Sequence, residues 1–137
     1  MSTNQQKRLR ALRGAVTVAS NDRAAIVTAT EELLGEMISR NAVDGDDLVS
    51  LIFTATPDLD AEFPALAARR LGLAHVPLLC SVELDVTGAM PRCIRVLVHL
   101  YSDRAAADLQ HVYLREAREL RADLHEGDDH PNPKGSL

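Results

Sequence analysis

Two arginines stand inside apolar runs that read as strands, Arg13 in ALRGAVTV and Arg95 in CIRVLVHL. A guanidinium is almost never fully buried without a partner. Two readings account for the placement. In one, each arginine lies on the wet face of a strand or closes a structural ion pair with Glu83 or Asp85. In the other, the arginines line a pocket for a small dianion, because the guanidinium fork matches carboxylate geometry. Nucleophilic chemistry has weaker support. Cys80 in VPLLCSVE is a nucleophile by type, with His75, His99 or His111 as base, yet a cysteine within an apolar run is usually a small core residue. The five histidines show no HxH or HExxH spacing, which argues against a metal site. Neither GxGxxG nor a P-loop occurs, so there is no nucleotide fingerprint.

The composition narrows the field further. A chain of 137 residues is one domain's worth, and its net charge of -5 argues against nucleic-acid binding by bulk charge. Two Tyr, two Phe and no Trp leave no stacking platform for single strands. Thirteen of the fifteen basic residues are Arg, and the two Lys, Lys7 and Lys134, lie near the termini. No run reaches the roughly 18 apolar residues of a membrane span, and Arg10 and Arg13 interrupt any signal-peptide core. Cys80 and Cys93 are too few for a disulfide framework and lack CxxC partners for zinc. These features lead us to expect a cytoplasmic protein with reduced thiols.

The elements that must position these residues follow from periodicity. Leu9 to Val18 reads as a strand, with Leu12, Val16 and Val18 on one face. Ser20-Asn21-Asp22 is a helix start, and a helix from Asp22 to Asn41 carries Ile26, Leu33, Leu34, Met37 and Ile38 on one stripe. Leu48 to Thr54 is an almost unbroken apolar run, expected to be a strand buried on both faces. Pro64 suits the first turn of a helix ending near Gly72. His75 to Leu84 and Cys93 to Tyr101 read as further strands. Between 104 and 125, propensity favours one helix, although Val112 and Tyr113 prefer strand. Residues 1–8 form a polar extension, 9–125 a single domain, and 126–137 a tail too polar to offset its ordering entropy. Strands alternating with helices imply an α+β (or α/β) mixed sheet with helices on one side. With so few aromatics the core is thin, and association through a sheet face or edge is expected.

Taken in chain order, the motifs say more. Arg13-Gly14-Ala15 with Thr17-Val18 opens the series, then Ala55-Thr56-Pro57-Asp58-Leu59 leads to Phe63-Pro64-Ala65 and Arg69. Cys80 and Glu83 precede Asp85-Val86-Thr87-Gly88; Cys93-Ile94-Arg95-Val96 and His111-Val112-Tyr113-Leu114 follow. Over roughly residues 10 to 124 this series resembles the monofunctional, trimeric chorismate mutases of pseudo-α/β-barrel type. The resemblance implies isomerisation of chorismate to prephenate, a one-substrate pericyclic rearrangement on the way to phenylalanine and tyrosine that uses no cofactor and no metal.

The resemblance also implies a strand from His111 to Leu120 in place of the helix that propensity favours, and it implies roles. Arg95 would face the ether oxygen that gains negative charge as the bond breaks. Arg13 and Tyr113 would bind the enolpyruvyl carboxylate. Glu83 would accept a hydrogen bond from the ring hydroxyl, with Cys80 beside it. Phe63, Ala65 and Arg69 would come from a neighbouring subunit of a homotrimer; Leu120 would line the pocket, and Arg121 would start a tail that folds over ligand. Three positions depart from the common pattern: Leu66 replaces a frequent Lys, Leu79 a usual Thr, and Ala122 a common Pro. A trimeric enamine or imine deaminase of similar fold also uses an interface arginine, but it would not explain Glu83, Tyr113 and Arg13 together.

Overall fold

The computed structural model describes residues 6–120. Five strands form one mixed sheet: β1 (Arg8–Thr17), β2 (Leu48–Ala55), β3 (Leu78–Val82), β4 (Cys93–Ser102) and β5 (Val112–Leu114), in the order β3-β2-β4-β1-β5. The central pairs β1/β4 and β2/β4 are antiparallel, whereas the outer pairs β2/β3 and β1/β5 are parallel. Helix α1 (Arg23–Arg40) packs on β1, and helix α2 (Ala65–Arg70) packs on α1 and β3. This is the expected α+β arrangement.

Helix α1 starts where Asp22 caps it, its carboxylate accepting the Ala25 N–H at 2.8 Å. Hydrogen bonds from the Ser20 hydroxyl and the Ala25 N–H hold the Asp22 carboxyl below the usual range. The helix ends at Asn41, whose buried side-chain amide donates to Met37 O and to Gln110 O, both at 2.9 Å, and accepts the Gln110 N–H at 2.7 Å. Its inner stripe (Ile26, Leu33, Leu34, Met37) lies on Leu12, Val16, Phe53, Ile94 and Val98 in the main core. Gly14 permits this close approach. A Cβ there would collide with Met37 Sδ and stand 2.9 Å from its Cε. Leu66 turns partly into this core as well.

The Ala55-Thr56-Pro57-Asp58 motif is a joint between strands. Thr56 N–H donates to Cys93 O and Cys93 N–H donates back to Thr56 Oγ1, each at 3.0 Å. Asp58 accepts the Arg92 N–H at 2.9 Å, at a residue held with φ +48. The polar atoms of this motif are thus committed to the backbone where β2 ends and β4 begins.

Three expectations are corrected. β2 is buried on one face only: Leu51 and Phe53 lie in the core, while Ser50, Ile52 and Thr54 are half-exposed. β3 is shorter than His75 to Leu84, because Leu73 to Val76 form a turn and strand pairing runs only from Leu78 to Val82. Among the described residues, the single helix expected from 104 does not run through, and the strand expected from His111 to Leu120 is only three residues long. A 3-10 turn (Ala106–Asp108) precedes β5, a second (Arg115–Ala117) follows it, and the chain is helical at 118–120. Parallel pairing to β1 adds to the strand preference of Val112 and Tyr113 and interrupts the helix that the flanking residues favour. The tail expected at 126–137 lies outside the described residues. Among the described residues, no helix is long and apolar enough to cross a membrane.

Candidate active site

Both helices cover the same face of the sheet and leave the other open. Cross-strand partners share a face, so the register places a row across the open side: Thr54 opposite Arg95, Arg95 opposite Ala15, and Ala15 opposite Tyr113. Ala15 is the small floor between a guanidinium and a phenol. Arg13, two residues along β1, shares that face and pairs with Leu97. Together Arg13, Arg95, Tyr113, Thr54, Ile52 and Leu97 line a cavity of about 300 Å³, at the lower end of the range for small-molecule sites. On the same face Tyr113, Ala15, Cys93 and Ala117 form a small second core, with Leu120 packed against it.

Glu83 lies just beyond β3, its N–H donating to Ala55 O at 2.9 Å. Its Oε2 approaches Arg95 Nε to 3.5 Å and also accepts the Thr54 hydroxyl. The Arg95 side chain remains 44% exposed. Arg95 thus combines an ion-pair neighbour with a place on the cavity wall. Arg95 has one carboxylate neighbour and still faces the cavity.

Cys80 is placed differently. It pairs with the core residue Phe53 and so points to the helix-covered side, away from the Arg95 row. It lines a groove of about 460 Å³ with Phe63, Pro64, Asp60 and Glu62. Burial pushes its thiol above the ordinary range, and the Ala65 backbone N–H opposes this in part. Ala65 is buried at the start of α2, while Arg69 is exposed near its end. Phe63 is 69% exposed, unusual for so large an apolar side chain. Cys80 thus groups with Phe63 and Ala65 rather than with Glu83. The candidate bases do not serve it either: His75 Nε2 lies 3.4 Å from Gly45 O, His99 Nδ1 lies 3.0 Å from Ser50 Oγ, and His111 Nδ1 accepts the Arg13 N–H at 3.0 Å. Arg121 lies outside the described residues.

Of the expected site residues, the structure therefore assembles Arg13, Glu83, Arg95 and Tyr113, with Leu120 near, and sets Cys80, Phe63 and Ala65 in a separate group. Thr54 escaped the sequence reading. Its signal is the cross-strand register, which requires knowing that β2 and β4 are neighbours.

The arrangement offers two cations and a phenolic hydroxyl around one small cavity. The sequence matches the family profile for chorismate mutase type I over residues 9–124. The chain belongs to that family. It is accordingly an isomerase, and chorismate mutases are its relatives by sequence and by fold. A chorismate mutase AroH from Thermus thermophilus is 46% identical over 117 residues, covering 85% of this chain and 96% of the relative. The Bacillus subtilis (strain 168) chorismate mutase AroH is 41% identical over 117 residues, covering 85% and 92%. A solved chorismate mutase structure from Clostridium thermocellum superposes with a TM-score of 0.79 at 47% identity, covering 80% of this chain and 97% of that one.

Proposed function

We propose that the protein isomerises chorismate to prephenate, and that it does so at sites shared between subunits of a homotrimer in the cytoplasm. The observation that carries this reading is the in-register row Arg95, Ala15, Tyr113 with Arg13 alongside. It holds carboxylate-binding groups at both ends of a cavity sized for one small dianion.

The chemistry follows from the groups. In the rearrangement, the ether C–O bond breaks as a C–C bond forms, and negative charge grows on the ether oxygen. Arg95, fixed by its strand and by Glu83, faces that oxygen and stabilises the transition state more than the ground state. A preorganised donor of this kind is worth roughly 3–4 kcal/mol of barrier. Arg13 and the Tyr113 hydroxyl hold the enolpyruvyl carboxylate, which folds the flexible arm over the ring and removes orientational entropy from the barrier. Glu83 accepts the ring hydroxyl. No proton transfer and no covalent intermediate are required. Cys80, kept a thiol by burial, shapes the pocket rather than attacking.

The reading includes a second subunit because one chain exposes what a site would cover. Beside Phe63, the apolar Leu79 (67% exposed), Val82, Leu84 and Val86 lie along the free edge of β3 and the loop after it. A bare edge strand with an apolar fringe is a pairing surface. In the trimer, Phe63, Ala65, Arg69 and Cys80 of one subunit close over Arg13, Glu83, Arg95, Tyr113 and Leu120 of the next, with Arg121 beginning the cover. Leu66 turning inward leaves Arg69 as the cation at the rim, and exposed Leu79 becomes a contact between subunits. Both cysteines serve as free thiols.

The test is direct. Purified protein is mixed with chorismate, and its loss is followed together with prephenate formation. Turnover at catalytic enzyme concentration supports the reading, and none from folded trimer refutes it.

A further inference from the structure

β5 carries Tyr113 yet is only three residues long, Val112–Leu114, and it pairs in parallel with β1 at the sheet's edge. Three parallel pairings hold an edge strand weakly, so the ties at its two ends decide where Tyr113 sits. After the strand, Glu116 N–H donates to Thr17 Oγ1 at 3.1 Å and an Arg115 Nη donates to Thr17 O at 3.3 Å. Before it, the buried Asn41 amide clamps both backbone groups of Gln110. The remaining link is His111. Its Nδ1 accepts the backbone N–H of Arg13 at 3.0 Å, one step before the ladder begins at Gly14 and Val112.

An imidazole here does the work of a strand carbonyl. The Arg13 amide points from β1 toward β5, where the next parallel pairing would have supplied an acceptor, and the ring supplies one instead. Because the donor is a backbone N–H, Nδ1 must be the unprotonated nitrogen of the ring. The bond joins the backbone of Arg13 to the residue two before Tyr113, and both of those side chains line the same cavity.

We propose that His111 is a positioning residue that sets the spacing between Arg13 and Tyr113, and so the geometry of the carboxylate subsite. This rests on the chorismate reading of that subsite. His111 touches no reacting atom. Its contribution goes to binding the carboxylate and not to the charge that develops at Arg95.

Three variants test the role by where they place an acceptor. His111→Asn keeps an oxygen at the position of Nδ1, His111→Gln moves the amide one bond further out, and His111→Ala removes it. Loss of one hydrogen bond of ordinary strength corresponds to roughly 3- to 10-fold. We expect the Ala and Gln variants to raise KM for chorismate by about that factor with kcat changed less than about twofold, and the Asn variant to stay near wild type. Amide hydrogen exchange at Arg13, read on the full-length protein without substrate, should quicken in the Ala and Gln variants and remain slow with Asn. Equal exchange at Arg13 in wild type and His111→Ala would overturn the hydrogen bond's role whatever the activity. Unchanged KM in His111→Ala, or an Asn variant no better than Ala, would overturn the positioning role. Wild-type protein that leaves chorismate intact would instead overturn the functional reading, with the exchange experiment still reporting on His111.

Discussion

Arg95 and Glu83 meet at 3.5 Å, longer than a close charge-assisted hydrogen bond, and the Glu83 oxygen that faces Arg95 also accepts the Thr54 hydroxyl. Thr54 sits directly opposite Arg95 in the β2/β4 register. The hydroxyl thus competes with the guanidinium for one carboxylate oxygen, and the Arg95 side chain stays 44% exposed. On the proposed mechanism, a tighter pair would neutralise the charge that stabilises the breaking bond.

Removal of that hydroxyl should therefore cost activity without loss of packing. Thr54→Val keeps the side-chain shape and frees Glu83 to close on Arg95. We expect kcat/KM for chorismate to fall by roughly 10-fold or more, the scale of a hydrogen bond to a charged group. Thr54→Ser keeps the donor and should stay within about threefold. Steady-state kinetics of the two variants decide the point, and equal activities would remove Thr54 from the site.

Sharing of sites between subunits has a quantitative signature. Arg95→Ala and Arg69→Ala damage opposite halves of the proposed site, the second mainly through KM because Arg69 is at the rim. If each site draws one half from each of two subunits, random trimers formed by mixing the two variants contain intact pairs in about a quarter of their sites. Activity at low chorismate, where both parents are slow, should rise toward that fraction after unfolding and co-refolding. No rise would place each site within one chain.

Cys80 should behave as an inert thiol near neutral pH. Burial disfavours its thiolate, so alkylation by iodoacetamide at about pH 7.5 should be slower than that of a free cysteine, which ionises near 8.5. The rate should go on climbing as pH passes above that value, where the rate of a free cysteine levels off. Cys80→Ala should keep kcat within roughly 10-fold, since the residue supplies shape and not a bond. Fast labelling at neutral pH would contradict this placement.

Asp22 makes a pH-dependent contribution to stability. Its carboxyl is held below the ordinary range when folded, first by Ser20 and then by the Ala25 N–H. The contribution is thus fully present above the unfolded value near 3.9 and is lost as pH falls through the lower folded value. Thermal unfolding of wild type and Asp22→Ala should differ by a few degrees above about pH 5, and the gap should narrow below about pH 4. A gap that is constant with pH would assign the effect to something other than the charged cap.

Much of this was legible from residue type and period. Arg13 and Arg95 stand out because each breaks an apolar alternation whose other positions, Leu12 and Val16 or Ile94, Val96 and Val98, lie in the core. The start of helix α1 could be read from Ser20-Asn21-Asp22, and the structure caps it there. Other features depend on which strand neighbours which. The apolar run at Leu48 to Thr54 looks buried on both sides, yet its Thr54 side belongs to the open face and lines the cavity. Thr54 as partner of Glu83 requires the β2/β4 register, and His111 as partner of Arg13 requires β5 to lie beside β1. Residues 104–120 misled because Ala, Leu, Arg and Glu favour helix locally while β1 offers a strand partner in the middle. The separation of Cys80 from the Arg95 row is a matter of which face of the sheet each side chain takes. Strand alternation fixes that only once the pairing is known.

In the proposed reaction, Arg95 is the group that stabilises charge at the breaking ether bond. The most direct measurement is kcat for chorismate conversion to prephenate by wild type and by Arg95→Ala, with the oligomeric state of both determined by light scattering. We predict turnover by wild type and a kcat lowered by roughly 10²- to 10³-fold in the variant, with the trimer intact. A folded wild-type trimer without turnover, or an Arg95→Ala trimer with near-normal kcat, would contradict it.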